Sequence, residues 1–373
     1  MHVHIVDPSA YTPPYDHALA AGLAQAGAEV ELITSRFGYG SVPEGDGYAV
    51  RELFYRHARG APGSRTRTAA KLLEHVPDMW RYRTVAERAD VIHFQWLAVQ
   101  AVDQYLLPAK PIVLTAHDLL PREPRHGQAW AQRRCYDAVD AVVVHSRYGR
   151  RQLMDGLGVD AAKVRVIAHG AFKHLTIQPS EVPLAGDLAA VRSPVVLFFG
   201  LLRPYKGIET LLEAWQGISG AELWIVGRPR MGLERVTASA PAGVRFVPRF
   251  VSDAELPAFF RRADLVVLPY TRTERLDWSG VLATALAFGK PIVVSDVGGL
   301  GEVAAAGAAR LVAPDDADAL RAALVGLLGS PQDRAELARG ALAAAQGPYS
   351  WEASARETLA LYRELVPLGP VDE

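Results

Sequence analysis

Short, mainly apolar runs alternate with stretches of helical period along the whole chain. In the first half the runs fall near 2–6, 29–34, 50–55, 90–94, 111–116, 140–145 and 164–168. In the second half they fall near 195–199, 222–226, 244–247, 264–268, 291–295 and 309–312. A run such as VVLFF at 195–199 is continuously apolar rather than alternating, which suits a parallel strand covered on both faces. Strands interleaved with helices predict an α/β chain of doubly wound parallel sheets. The alternation breaks at 174–193, HLTIQPSEVPLAGDLAAVRS, where two prolines stand. The expected division is therefore a first domain at 1–175, a linker at 176–193, a second domain at 194–349 and a terminal segment at 350–373 with the helical pattern SWEASARETLALYREL.

The most informative stretch is 195–215, VVLFFGLLRPYKGIETLLEAW. Gly200 lets the strand end in a sharp turn, and Ile208, Leu211, Leu212 and Trp215 recur at the spacing of a helix packed on the sheet. Between them stand Arg203 and Lys206. Ligands of open α/β sheets sit outside the carboxyl ends of strands, beside the unpaired amides of helix starts, so position favours an anion site over two solvated loop charges. A second stretch, SGVLATALAFGKPIVVSDVGGLGE at 279–302, opens another helix; its amides at Ser279, Gly280 and Val281, with the Ser279 hydroxyl, suit a diphosphate oxygen, and Ser279 also suits a plain N-cap.

Polar residues mark other strand ends. His117 and Asp118 close PIVLTAHD, His145 and Ser146 follow AVVV, and His169 with Gly170 ends the half. VIHFQWL offers His93 and Trp96 to a sugar acceptor through hydrogen bonding and ring stacking, with burial in the core as the other reading. After the first strand, DPSAYTPPYDHALAAGLAQAG places Pro13 and Pro14 before a helix start, with Tyr15, Asp16 and His17 available to face a ligand.

The 195–215 and 279–302 stretches resemble the two donor motifs of the family 4 retaining glycosyltransferases, and the similarity spans nearly the whole chain. The resemblance implies the GT-B architecture, two Rossmann-like domains facing across a cleft, with the terminal helix returning to the first. It implies a nucleotide-diphosphate sugar, with UDP or GDP, as donor substrate and no further cofactor. On this reading Arg203 and Lys206 hold the diphosphate, and Gly200, Gly227, Arg228, Asp277, Trp278, Ser279, Gly280, Val281 and Thr284 surround the donor. Phe250 and Val251, in PRFVSDAEL, match a region whose main chain meets the nucleobase. His117, with Asp118, is expected beside the transferring sugar or the acceptor hydroxyl, and Tyr15, Asp16, His17, His93 and Trp96 toward the acceptor. The leaving phosphate itself is expected to take the acceptor's proton in a transfer that retains anomeric configuration.

Two departures qualify the resemblance. Relatives carry a glycine pair where this chain has Pro13 and Pro14, which removes two amide donors. They also carry two glutamates, eight positions apart, where alignment puts Leu276 and Thr284. With no acidic pair at a strand end near the donor motif, transfer without a metal is expected, and the sole Asp-x-Asp, Asp316 to Asp318, reads as a helix cap. A nucleotide-sugar epimerase and a nucleotide-binding module that has lost catalysis remain open. A dinucleotide oxidoreductase rests on Gly299 to Ala304, whose crossover helix is too short for such a unit.

Composition narrows the partners. The net charge of −1 over 373 residues argues against bulk nucleic-acid binding. One cysteine, Cys135, excludes an intrachain disulfide framework and fits a reducing cytoplasm. MHVHIVDPSA lacks a basic leader and a long apolar region, so no signal peptide is expected. Residues 56–88 combine Arg56, Arg59, Arg65, Arg67, Lys71, Arg81 and Arg83 with Leu72, Leu73, Val76, Met79 and Trp80, a pattern that suits a solvated helical face or peripheral contact with an anionic membrane.

Overall fold

The protein is described from a computed structural model, which covers residues 1–38, 42, 45–61, 63–120 and 126–366. It forms two compact units. The first runs from Met1 to Gly170 and takes in the segment from Trp351; the second is Ala171–Ser350.

The first unit holds a seven-stranded sheet of β1 (His2–Asp7), β2 (Glu29–Ser35), β3 (Ala49–Phe54), β4 (Val91–Phe94), β5 (Ile112–Thr115), β6 (Ala141–Val144) and β7 (Val164–Val166). The order is β3-β2-β1-β4-β5-β6-β7, parallel throughout. The second unit holds β8 (Val195–Phe199), β9 (Glu222–Val226), β10 (Val244–Val247), β11 (Leu265–Leu268), β12 (Ile292–Ser295) and β13 (Arg310–Val312), in the order β10-β9-β8-β11-β12-β13, again parallel. Five helices carry the argument below: α1 (Pro13–Gln25), α2 (Arg65–Ala86), α3 (Ile208–Trp215), α4 (Gly280–Ala287) and α5 (Trp351–Leu365).

Each sheet reverses its winding once, between β1 and β4 in the first unit and between β8 and β11 in the second. Loops leaving neighbouring strands at such a point diverge to opposite faces and leave a crevice at the carboxyl ends. Both motif stretches leave the second sheet there, from β8 and from β11. The apolar runs explain why the strands fall where they do: Val196, Phe198, Leu223, Ile225, Leu265, Val267 and Val293 are buried with Leu211 and Trp215 of α3 in one core.

Residues 176–193, expected as a linker, pack within the second unit. They contain a short helix, Gly186–Ala190, and Val182 N donates to the Ala254 carbonyl at 2.8 Å. Helix α5 belongs to the first unit, where Gly22 of α1 leaves so little room that a Cβ there would stand 3.0 Å from Ala355 Cβ. Gly299 to Ala304 build one turn of helix, Glu302–Ala305, before β13 begins at Arg310. Asp316 caps the helix Ala317–Gly329 by accepting from Ala319 N at 2.8 Å.

The loops after β8 and β9 are joined backbone to backbone. Gly200 N donates to Val226 O, Leu202 N to Arg228 O, and Arg230 N to Leu202 O, at 2.9–3.0 Å. Gly227 permits this approach: it sits at φ +144°, and a Cβ there would lie 1.8 Å from the Gly200 carbonyl oxygen. Gly227→Ala should therefore cost about 3 kcal/mol or more in urea unfolding. A loss below about 1 kcal/mol would show that the two loops part without penalty.

Candidate functional site

In the second unit Lys206 closes a short 3-10 turn, Pro204–Lys206, and α3 follows from a left-handed Gly207. The turn is tied to the loop after β11, since Thr271 N donates to Tyr205 O at 2.9 Å and Thr271 Oγ1 donates to the same carbonyl at 3.2 Å. Lys206 is only 6% exposed. Its Nζ lies 5.2 Å from the centroid of the Tyr270 ring. A Cβ on Gly200 would stand 2.9 Å from Lys206 Nζ and 3.0 Å from Val281 Cγ2. The end of β8, the Lys206 ammonium and the first turn of α4 thus meet at one point.

Ser279 stands at the N-cap of α4 without capping it by its side chain. Its hydroxyl instead meets the Tyr270 hydroxyl at 3.0 Å. Trp278 stacks on Tyr349 at 5.2 Å, and Gly299 N donates to the Asp277 carbonyl at 2.9 Å, drawing the loop after β12 to the same place. Arg203 opens the 3-10 turn and is half-buried, Arg228 and Phe250 are exposed, and Val251 and Asp277 are buried. Thr284 differs from expectation: it lies in the second turn of α4, buried, and its hydroxyl donates to the Gly280 carbonyl at 2.9 Å. The helix takes up that proton, so Thr284 offers no donor to a ribose.

In the first unit the strand ends build an aromatic layer. Trp96, after β4, stacks on His117 at 5.1 Å and 20°, and donates from Nε1 to Thr12 Oγ1 at 3.0 Å. His117 Nε2 lies 3.1 Å from Gln95 Oε1, and an amide oxygen only accepts, so this histidine carries its proton on Nε2. Both rings are half-buried, the state expected of groups that meet a ligand. Asp118 follows, half-buried, its carbonyl accepting from the Tyr136 hydroxyl at 3.3 Å.

Four acceptor candidates are turned inward. His93 is spent within the core, its Nδ1 2.6 Å from the Tyr362 hydroxyl and its Nε2 2.7 Å from Thr115 Oγ1, because strand alternation points it into the layer under α5. The Tyr15 ring packs edge-on against His117, His169 and Trp351 at 4.6–5.0 Å. His17 Nδ1 meets the Tyr48 hydroxyl at 2.6 Å. Asp16 is buried beside Asp7; burial and the Asp7 carboxylate push its pKa far up, so it holds a proton and donates to Asp7. For the three on α1 the cause is shared: Pro13 and Pro14 start the helix at once, and Tyr15, Asp16 and His17 in its first turns are buried.

The same pair explains what the loop amides do. Asp7 accepts from Ser9 N at 3.1 Å, Tyr11 N at 2.6 Å and Thr12 N at 3.1 Å. A carboxylate of the chain itself fills the anion position that the loop makes. Only its place at the end of the first strand marks Asp7 in the sequence. A Tyr55–His75–Asp103 chain of hydrogen bonds joins residues far apart in sequence: His75 Nδ1 is 2.7 Å from the Tyr55 hydroxyl, and its Nε2 bonds Asp103. Tyr55 sits at φ +54°, a strained backbone for a bulky residue.

Two doubly wound α/β units of this kind define the GT-B glycosyltransferase fold. Sucrose-phosphate synthase from Thermosynechococcus elongatus shares it at a TM-score of 0.73 and 20% identity, over 98% of this chain and 99% of that one. Anabaena HepE, solved with UDP and glucose, does so at 0.72 and 19%, over 97% and 99%. Residues 15–171 match Glycosyltransferase Family 4, and residues 193–330 match Glycosyl transferases group 1. The chain belongs to the family 4 glycosyltransferases. A D-inositol 3-phosphate glycosyltransferase of Kineococcus radiotolerans is 28% identical over 93% of this chain and 89% of its own length. A GDP-mannose:glycolipid 4-beta-D-mannosyltransferase of Xanthomonas campestris is 29% identical over 55% and 61%.

Burial sets the charge state of the histidine layer. It lowers His145 to about 4, against the opposing pull of the Ile167 carbonyl that Nδ1 meets at 3.0 Å. Burial likewise lowers His93 and His169 to about 3. A histidine depressed in the folded state stabilises fully above about pH 6.5, and its contribution is lost as pH falls towards the folded value. His145→Gln, whose amide can still donate to Ile167, should therefore lose about 2 kcal/mol less than the parent chain between pH 6.5 and 4.5 in denaturant titrations. Equal losses in the two proteins would refute the assignment.

Proposed function

We propose that this chain transfers a glycosyl group from a UDP or GDP sugar to an acceptor hydroxyl with retention of anomeric configuration. The observation that carries the reading is the Lys206 ammonium, buried between Gly200 and the first turn of α4. Cleavage of the sugar–phosphate bond leaves negative charge on the diphosphate. A fixed cation beside helix amides stabilises that charge as it develops, which is worth about 3–4 kcal/mol of barrier per preorganised donor. Lys206, Arg203 and the Gly280 and Val281 amides fill this role.

The bond between the anomeric carbon and the phosphate oxygen breaks on the face where the acceptor oxygen bonds. The acceptor's proton passes to the leaving phosphate oxygen, so no separate base is required. His117, held by Gln95 and by stacking on Trp96, positions a sugar hydroxyl. Transfer proceeds without a divalent ion at the donor phosphates: the one Asp-x-Asp is occupied in helix capping, and the cationic site already neutralises the leaving group. The names of relatives support this reading: one pairs GDP-mannose with a glycolipid, and the other is a glycosyltransferase named for D-inositol 3-phosphate.

Helix α2 supports an acceptor at a membrane surface. No described helix is long and apolar enough to cross a bilayer. Yet α2 turns His75, Asp78, Met79 and Tyr82 inward and leaves apolar residues outside: Leu73 is 80% exposed and Trp80 59%, with Leu72 and Val76 beside them. Arg65 and Arg81 are exposed on the same helix, and the Arg83 guanidinium lies 5.3 Å from the Trp80 ring. Apolar side chains flanked by arginines suit the interface of an anionic bilayer.

Lys206→Ala should lower kcat by about 10²- to 10³-fold with an unchanged unfolding midpoint. A near-parental rate against a panel of UDP and GDP sugars would sink the donor assignment. The anomeric proton coupling of the first product reports retention or inversion, and omitting Mg²⁺ and Mn²⁺ should leave the rate as it is. Co-sedimentation with phosphatidylglycerol vesicles should be strong for the parent chain and lost in Leu73→Glu. Equal sedimentation of both would remove α2 from the contact.

A further inference from the structure

A second cluster lies away from the strand ends, on the amino-terminal half of β1. Strand alternation puts His2 and His4 on one face, and the β1–β2 register sets His4 against Glu31. The three side chains bring ligand atoms within 4.8 Å of one another. His4 is 0% exposed, and its Nε2 has no hydrogen-bond partner. It lies 3.4 Å from Glu31 Oε2. That separation is long for a hydrogen bond but natural for two ligands of one ion: zinc bonds of about 2.0–2.1 Å in a tetrahedron hold ligand atoms about 3.3–3.4 Å apart.

The surroundings are those of a ligand set. His2 Nδ1 lies 2.9 Å from the Arg88 carbonyl, which only accepts, so the His2 proton is on Nδ1 and the lone pair on Nε2. His4 Nδ1 meets the Tyr82 hydroxyl at 3.3 Å, and Glu31 Oε1 is held by Arg51 Nε at 2.6 Å. Each group thus has an outer partner on the atom that faces away, the arrangement that orients imidazole and carboxylate towards a metal. His2 is half-exposed, which gives an ion a route to the buried pair.

We infer that His2, His4 and Glu31 bind one divalent transition-metal ion of the zinc class, with water in the fourth position. Two imidazoles and one carboxylate suit zinc, nickel or copper, not magnesium or calcium. The ion ties the beginnings of β1 and β2 together and takes no part in glycosyl transfer, whose residues follow the opposite ends of the strands.

The test uses the full-length chain without a purification tag, stripped with chelator, dialysed and titrated with zinc chloride by calorimetry. One equivalent should bind saturably and raise the melting temperature. His2→Ala and Glu31→Gln should each weaken binding by at least about 10-fold, while His57→Ala, an exposed histidine elsewhere, should not. Circular dichroism and the metal-free melting temperature confirm that each variant folds. Absence of saturable binding at millimolar zinc, or binding undiminished in both His2→Ala and Glu31→Gln, overturns the assignment. The titration needs no nucleotide sugar, so its failure and that of the transferase reading are separate.

Discussion

An ammonium held out of water is the constraint around which the second unit is arranged. Desolvating such a group costs several kcal/mol unless dipoles or negative charge surround it. The structure places a ring face and a helix start there, and fixes both. Tyr270 is oriented by its hydroxyl meeting Ser279, and the turn carrying Lys206 is locked to the loop after β11 through the Tyr205 carbonyl. Gly200 suits glycine because it sits at φ +105° and a Cβ would crowd the ammonium at 2.9 Å. The sheet order makes this possible, since only adjacency of β8 and β11 brings the two motif loops side by side.

The first unit has the same winding and the opposite chemistry. Its first loop also points amides at one spot, but Asp7 already fills it, and Asp16 shares that charge as a protonated acid. Two prolines at the head of α1 remove two further donors. A phosphate arriving there would meet a carboxylate and no unsatisfied cradle. The departure from the family's glycine pair therefore has a physical meaning: this loop is closed by its own carboxylate, and on the proposed reading anion binding is left to the unit that carries Lys206.

Most strand positions were legible because parallel strands buried on both faces are mainly apolar, although β1 carries His2 and His4 and the partly exposed β3 carries Arg51 and Glu52, and the observed elements fall within a residue or two of the runs. Strand ends were legible for the same reason, so Trp96 and His117 are where the sequence puts them, just after β4 and β5. The direction of individual polar side chains was not. His93 looks like its neighbour Trp96 in VIHFQWL, yet its partner Tyr362 stands 269 positions later. Nothing local announces that pairing. Helix α2 shows the same limit: its mixture of apolar and charged residues reads as a solvated face until Tyr55 and Asp103 arrive from elsewhere to bury His75. Polar residues then go inside and leucines outside.

The two missing glutamates fit this picture. Leu276 is buried, and its carbonyl lies against Gly298, where a Cβ would stand 2.3 Å from it. Thr284 gives its proton to its own helix. A carboxylate at either buried position needs a new partner, because a buried charge left unpaired is costly. Carboxylates at those places would add charge-assisted hydrogen bonds to ribose and sugar hydroxyls, each worth about 1.5–3 kcal/mol. Without them, on the proposed reading, the donor is gripped mainly by its diphosphate. The energy that relatives divide between the two ends of the donor is then concentrated where charge develops in the transition state. Interactions of that kind raise turnover rather than ground-state affinity, so loss of both glutamates is compatible with an active enzyme whose discrimination among sugars rests on pocket shape.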